Sequence, residues 1–362
     1  MTSSSKFSII TENISSLYSA DADDNSAAEI TGNNGDGGWK KELANATTSA
    51  GQLLKKLQLE RYSEQIDKVP DFRCLVTDSY LRKITAGDID DPLLRQVLPL
   101  AEENDREIQL SGITDPVGDI DAGVTRGLLQ KYHGRALLIS TGACAIHCRY
   151  CFRRLYPYQQ LANNSSVLAE TLSYLKHHAD IDEIILSGGD PLVLDNEKLA
   201  ALIDELEGVP QIQTLRIHTR LPVVLPARID KPLLRILQDT RFQVVMVIHA
   251  NHARELGEEE YHKLHQLAES GITLLNQSVL LKGVNDDIET LSDLSKRLFQ
   301  CRTLPYYLHL LDPVKGAMHF QVEKKTAIGL IEQMTIQLPG YLVPKLVQEI
   351  TGMKSKTAIS HI

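Results

Sequence analysis

An alternation of strand and helix patterns constrains the fold of this chain most. Apolar, β-branched runs recur at 135–141, 183–187, 214–219, 242–249, 272–281 and 305–311, roughly every 30 residues after a longer first interval. Between them lie stretches with helical spacing at 166–178, 196–206, 231–238, 258–269 and 287–299. Strands alternating with helices in this way make βα units, whose strands run parallel and whose crossovers are right-handed. Six such units without a Gly-x-Gly-x-x-Gly turn fit a partial barrel better than an open dinucleotide-binding sheet. The predicted class is α/β, a partial (βα)6 TIM-like barrel. Its active site belongs at the carboxyl ends of the strands.

Directly after the first of these runs comes Cys144-Ala-Ile-His-Cys148-Arg-Tyr-Cys151. Thiolates are the soft ligands that iron–sulfur clusters select, and a four-iron cube takes four of them. Three cysteines leave one iron for a ligand from outside the protein. In a Cys-x3-Cys-x2-Cys loop that ligand is usually S-adenosylmethionine, as in the radical SAM enzymes, and the aromatic Tyr150 before the last cysteine strengthens the match. Structural zinc is the competing reading. It needs a fourth protein ligand, and although His147 lies inside the loop, no second cysteine pair follows. Cys74 and Cys301 stand alone and read as buried small apolar residues.

With 362 residues, 43% of them apolar, the chain can bury a large core. A net charge of -9 excludes a broad phosphate-binding surface, hence nucleic acid as a partner. No apolar run approaches the roughly 18 residues that span a bilayer, and the N-terminus does not read as a signal peptide. Free thiols in an enzyme-sized chain fit the cytoplasm. Four regions are expected: a mobile low-complexity tail over 1–38, a helical region over 39–125, the barrel over 126–325 and a C-terminal segment over 326–362. Helical spacing in the second region covers 39–59 and 92–103.

After the second strand run, Ser187-Gly188-Gly189-Asp190-Pro191 combines a paired glycine with an acid. Such a turn lets backbone approach a ligand, offering amides and a carboxylate to an ammonium or hydroxyl group. By itself it is ordinary turn punctuation; one βα unit after the cysteine loop it gains meaning. Further motifs are Tyr132-His-Gly-Arg135, Cys148-Arg-Tyr-Cys151-Phe-Arg153-Arg154, Arg220-Leu-Pro-Val-Val-Leu-Pro226, His249-Ala-Asn251-His252 and Asn276-Gln-Ser-Val-Leu-Leu-Lys-Gly-Val-Asn-Asp286. With them the chain resembles the lysine 2,3-aminomutase branch of the radical SAM superfamily. Asp91-Pro-Leu-Leu-Arg-Gln-Val97, Pro305-Tyr-Tyr-Leu-His309 and Gly340-Tyr-Leu-Val-Pro-Lys-Leu346 are most similar to the subgroup that makes (R)-β-lysine for elongation factor P.

The resemblance implies three cofactors: a [4Fe-4S] cluster on Cys144, Cys148 and Cys151, S-adenosylmethionine with its amino group at Gly188, Gly189 and Asp190, and pyridoxal 5′-phosphate. It implies that Lys356 carries the pyridoxal phosphate, with Lys354 a nearby competitor. Arg135 is implied as its phosphate partner and Arg153 as the partner of the substrate carboxylate, each by guanidinium-to-anion pairing. Asp286 and Glu349 match positions that receive the ε-ammonium of lysine, and His249, Asn251 and Gln277 positions that line the cofactor pocket. Each of these residues also has a plainer role open to it, as an ion pair, a surface acid or a satisfied core group. A departure stands at Ile350-Thr-Gly-Met-Lys-Ser355, where the free-lysine enzymes carry a glycine-rich loop. The implied activity turns L-α-lysine into (R)-β-lysine, with elongation factor P and its lysyl ligase downstream and an electron donor such as flavodoxin upstream. A lysine 2,3-aminomutase making free β-lysine for another pathway, and a zinc- or cluster-binding protein without catalysis, are the alternatives.

Overall fold

The computed structural model describes residues 38–67, 70, 72–161 and 165–360; the tail expected over 1–38 lies almost wholly outside them. Ten strands form one sheet in sequential order. They are β1 (Gly123–Thr125), β2 (Leu128–Tyr132), β3 (Arg135–Thr141), β4 (Glu183–Gly188), β5 (Thr214–Thr219), β6 (Gln243–Ile248), β7 (Thr273–Val279), β8 (Leu304–His309), β9 (Lys345–Gln348) and β10 (Thr357–Ala358). From β3 to β9 every neighbouring pair is parallel, while β1–β2–β3 and β9–β10 are antiparallel. The six anticipated strands are all present, and β9 extends the parallel set by one. The sheet does not close, since β1 and β10 stand at its two ends.

The crossovers are helical as the spacing predicts: α1 (Ser165–His177), α2 (Asn196–Glu207), α3 (Lys231–Asp239), α4 (Glu258–Glu269) and α5 (Ile288–Gln300), followed by the unanticipated α6 (Lys324–Gln337). Three of them start where an aspartate can cap. Asp195 accepts from the Lys198 N–H, Asp230 from Leu233 and Asp287 from Thr290, each cap stabilising by about 1 kcal/mol. Side-chain alternation along β5 buries Leu215, Ile217 and Thr219 and turns Arg216 and His218 to the other face. The same inner face of β4, β7 and β8 carries Ile185 and Ser187, Gln277 and Val279, Tyr307 and His309, and all of these line one cavity. Strand ends from across a ten-stranded sheet meet at one cavity only because the sheet curls.

The N-terminal region departs from its expected helices. The span 39–59 divides into Gly38–Ala44 and Ala50–Lys56, because the polar, β-branched run Asn45-Ala-Thr-Thr-Ser49 favours extended backbone, and Thr47 there bridges to Val76. The span 92–103 keeps helix only at Pro92–Arg95 and a 3-10 turn at Ala101–Asn104, with Pro99 between them. These pieces pack onto the barrel: Trp39, Leu53, Leu93 and Leu94 share one continuous apolar core with Leu186, Leu225, Ile229 and Met246. A second core joins α6 and β9 to β8.

Candidate active site

The cavity at the carboxyl ends of the strands has a volume of about 430 Å³. Cys144, Cys148 and Cys151 all line it, and all five cysteines of the chain are free, Cys74 and Cys301 being buried in the core. The cysteine loop is tied down from two directions. From the barrel, Gly189 N–H donates to Thr141 O and Asp190 N–H to Ala143 O, both at 2.7 Å. From the N-terminal region, the loop's own His147 N–H reaches Leu75 O at 3.0 Å and Arg149 N–H reaches Gln96 O at 2.8 Å. Glu103, buried like Arg149, then takes Arg149 Nε at 2.7 Å and the half-buried Arg154 through Nη2 at 2.7 Å.

The Gly-Gly-Asp turn therefore differs from the sequence expectation. Its glycines lie on the cavity wall, yet the amides of Gly189 and Asp190 are spent on the cysteine loop and are not open to a ligand. Gly188 has φ +124, a conformation that favours glycine. The Asp190 carboxylate is occupied too, by Thr219 Oγ1 and Arg220 N–H at 2.6 Å each and by Leu192 N–H at 3.1 Å. Burial nevertheless pushes its pKa up to about 6.

The same cavity carries a run of alternating charge. Lys356 Nζ pairs with Glu349 Oε2 at 2.6 Å, Lys131 Nζ bridges Glu349 at 3.5 Å and Asp119 at 2.5 Å, and Asp119 takes Arg153 Nε at 2.6 Å. Tyr132 Oη adds a donor to Glu349 Oε1 at 2.6 Å. Burial alone would raise Glu349, but Lys356, Tyr132 and Lys131 outweigh it and hold its carboxyl below the usual range. Arg153 Nη1 donates to Ser187 Oγ at 2.9 Å. Arg135 also lines the cavity, and its Nε is buried without a partner among the described residues. Deeper in, Gln277 Nε2 meets His249 Nε2 at 3.0 Å, and burial lowers His249 to about 3, so the imidazole is neutral.

Two expected residues stay out of the cavity. Asp286 accepts the Gly283 N–H at 2.8 Å within its own turn. Asn251 is a satisfied core group: it donates to Gln96, accepts from Val279 N–H and, through its carbonyl, from Asn285. In their place the wall carries Asp312, three residues past the end of β8. Its Oδ1 is buried without a partner among the described residues, and burial pushes its pKa up to about 7. An acid just beyond a strand's carboxyl end was the sequence signal that could have found it. Arg216, His218 and Tyr307 also line the cavity, and strand alternation carries that information.

Residues 138–294 match the family model of the radical SAM superfamily. An L-lysine 2,3-aminomutase of Haemophilus influenzae is 43% identical over 323 residues, covering 88% of this chain and 94% of that protein. One from Escherichia coli K12 is 41% identical over 324 residues, covering 89% and 94%. The chain belongs to the lysine 2,3-aminomutase family. A more distant relative so named, from Clostridium subterminale, is 32% identical over 327 residues, covering 89% of this chain and 77% of that one. As a radical SAM member of the aminomutase type, the protein is an isomerase.

Membership implies a [4Fe-4S] cluster and S-adenosylmethionine, and the residues of this aminomutase fit them. The three thiols face one cavity. Thiolates are the donors a four-iron cube selects, and three of them leave one iron for S-adenosylmethionine. Burial pushes the Cys151 thiol up to about 11 and Cys144 well above its usual value, so iron binding must expel those protons. Acceptors for an ammonium are present as carbonyls at the Gly-Gly turn, where Gly188 O already takes Tyr158 Oη at 2.8 Å.

Proposed function

We propose that this aminomutase converts L-α-lysine to (R)-β-lysine with the help of pyridoxal phosphate, and that the product is destined for attachment to elongation factor P. The observation that carries the reading is the placing of Lys356, Glu349 and Asp312 in the same cavity as the three cysteines. Lys356 is the residue to hold pyridoxal phosphate, with Arg135, whose buried Nε lacks a partner among the described residues, taking the phosphate. Gln277 and His249 face the same space as neutral groups. Asp312 and Glu349, in place of the expected Asp286 and Glu349, supply the carboxylates that select the ε-ammonium. Arg153, fixed by Asp119 and Ser187, takes the substrate carboxylate through the edge of its guanidinium that those two leave open.

When bound, the cluster and S-adenosylmethionine supply a radical able to remove an unactivated hydrogen, and pyridoxal phosphate supplies a carrier for the migrating nitrogen. The protein's residues do the rest. They bind both charged ends of the substrate, the carboxylate at Arg153 and the ammonium at Asp312 and Glu349, and so hold its α and β carbons in the cavity that the cysteines line. They hold the Lys356 amine beside Glu349, where it would carry pyridoxal phosphate, and they keep water from the cavity with the apolar faces of Ile185, Val279 and Tyr307.

Support for the elongation factor P destination is the likeness of 91–97, 305–309 and 340–346 to that subgroup. A cytoplasmic setting with a one-electron donor such as flavodoxin suits the reading. No helix among the described residues is long and apolar enough to cross a membrane. The test reconstitutes the full chain with iron and sulfide, reduces it without oxygen, and adds lysine, S-adenosylmethionine and pyridoxal phosphate. β-Lysine by chromatography is expected, and a mass gain on elongation factor P once its ligase is added. Lys356→Ala should lose the bound-cofactor absorbance and all turnover; survival of both would reject the assignment of Lys356, and absence of β-lysine from the native chain would reject the reaction.

A further inference from the structure

The stretch Arg220-Leu-Pro-Val-Val-Leu-Pro226 opens the short helix Leu221–Val224 and has no chemical role in the reading above. Its first residue is 6% exposed, and its side chain is fixed on every side. Nη2 donates to Glu255 Oε2 and to Gln96 Oε1, both at 2.8 Å, and the backbone N–H donates to Asp190. The rings of Tyr80 and Tyr150 lie 5.5 and 5.6 Å from Cζ. Glu255 cannot turn away, because Oε1 accepts from Asn251 N–H, His252 N–H and Gln96 Nε2. So anchored, the guanidinium presents Nη1 to Cys148 Sγ at 2.6 Å, while Nε is buried without a partner among the described residues.

We propose that Arg220 sets the reduction potential of the cluster by holding a positive charge and a hydrogen-bond donor on the sulfur of Cys148. This rests on Cys148 being an iron ligand. Reduction brings one electron from an external low-potential donor and takes [4Fe-4S]2+ to [4Fe-4S]+; no bond to Arg220 forms or breaks. The added negative charge spreads onto the sulfurs, and cluster potentials respond to net charge and to hydrogen bonds on those sulfurs. A buried cation there favours the reduced form, because little water screens it. Glu255 offsets part of this, but it binds the Nη2 side, so the positive edge is the one that meets sulfur. Arg220 is a positioning residue whose effect is felt through Cys148.

The experiment titrates the reconstituted full chain with dithionite at set potentials, without S-adenosylmethionine, and reads the reduced cluster by electron paramagnetic resonance. At the native midpoint, Arg220→Gln is expected to lower the ratio of reduced to oxidised cluster about tenfold, a shift of about 59 mV for one electron. Arg220→Lys, which keeps the charge and loses the fork, should fall between the two. Iron and sulfide content of the native chain tests the cluster reading separately: none bound rejects that reading. Arg220→Gln with full iron and the native midpoint overturns the role of Arg220. Should Arg220→Gln fail to hold iron, Arg220→Lys decides: a lowered midpoint supports the inference, a native midpoint overturns it, and loss of iron from both variants overturns it in favour of a role in assembly.

Discussion

Gly189 is where the barrel grips the cysteine loop, and replacing it by alanine tests that grip. A Cβ at this position would stand 2.1 Å from Ala143 O, 2.7 Å from Ala143 C and 2.8 Å from Gly142 C. All three are backbone atoms, so no side-chain rotation relieves the contact and the loop itself must move. Movement breaks the bonds from Gly189 N–H to Thr141 O and from Asp190 N–H to Ala143 O. Two such bonds at about 1 kcal/mol each, with an overpacking cost of about 1–3 kcal/mol, make a local loss of about 3–5 kcal/mol. That is a hundredfold or more, on the order of what unseats a loop. The assay is thermal unfolding of the iron-free full chain, together with iron per chain after reconstitution. Gly189→Ala should lower both, the midpoint by several degrees. Gly329→Ala is the control: it lies inside α6 with nothing within 4 Å of the added Cβ, and should stabilise by about 0.5–1 kcal/mol. A Gly189→Ala chain that melts at the native temperature and carries full iron would refute the coupling of turn and loop.

Asp312 should make lysine binding depend on pH. Burial holds its pKa up at about 7, so below that pH it is neutral and attracts an ammonium weakly. KM for lysine is expected to fall as pH rises through about 7, and Asp312→Asn to remove that step and raise KM above pH 7 by about tenfold to a hundredfold, the loss of a charged hydrogen bond; a variant with the native pH profile counts against the assignment. Because the folded chain holds this proton more tightly than the unfolded one, the associated stability is full below pH ~4 and lost as pH rises through about 7. Glu103→Gln should cost about 3–5 kcal/mol, since it leaves the guanidinium groups of Arg149 and Arg154 buried beside the cysteine loop without their anion; an unchanged melting temperature would show that the triad does not hold that loop.

Strands β3 to β8 and helices α1 to α5 were legible because their signals are local: period, length and a capping aspartate lie within one stretch of chain. Lys345–Gln348 is four residues long, and what makes it a strand is its parallel pairing with Tyr307, Leu308 and His309, which no local window contains. The cysteines were legible for the same reason as the helices. Asp312 carried only the weak signal of an acid just past a strand's carboxyl end, and its meaning comes from sharing the cavity with Lys356 and Glu349. Asp286 was expected from the family resemblance alone, and its carboxylate accepts the Gly283 N–H of its own turn, a contact that the resemblance does not announce. The paired glycines also have a geometric cause, the close approach of the Gly189 backbone to that of Gly142 and Ala143.

The division of labour between barrel and N-terminal region follows from where buried charge is neutralised. Arg149 and Arg154 belong to the cysteine loop by sequence, yet their carboxylate, Glu103, and the Phe72 ring that faces both guanidinium groups come from the N-terminal region. Arg220 belongs to the barrel, yet one of its two anchors, Gln96, does not. A barrel without residues 72–104 would leave three guanidinium groups short of partners around the thiols, a cost that apolar packing does not recover. The loop that is to hold iron is therefore a shared structure: the barrel supplies its sulfur and its strand-end grip, and the N-terminal region supplies the anion that lets a cationic loop stay buried.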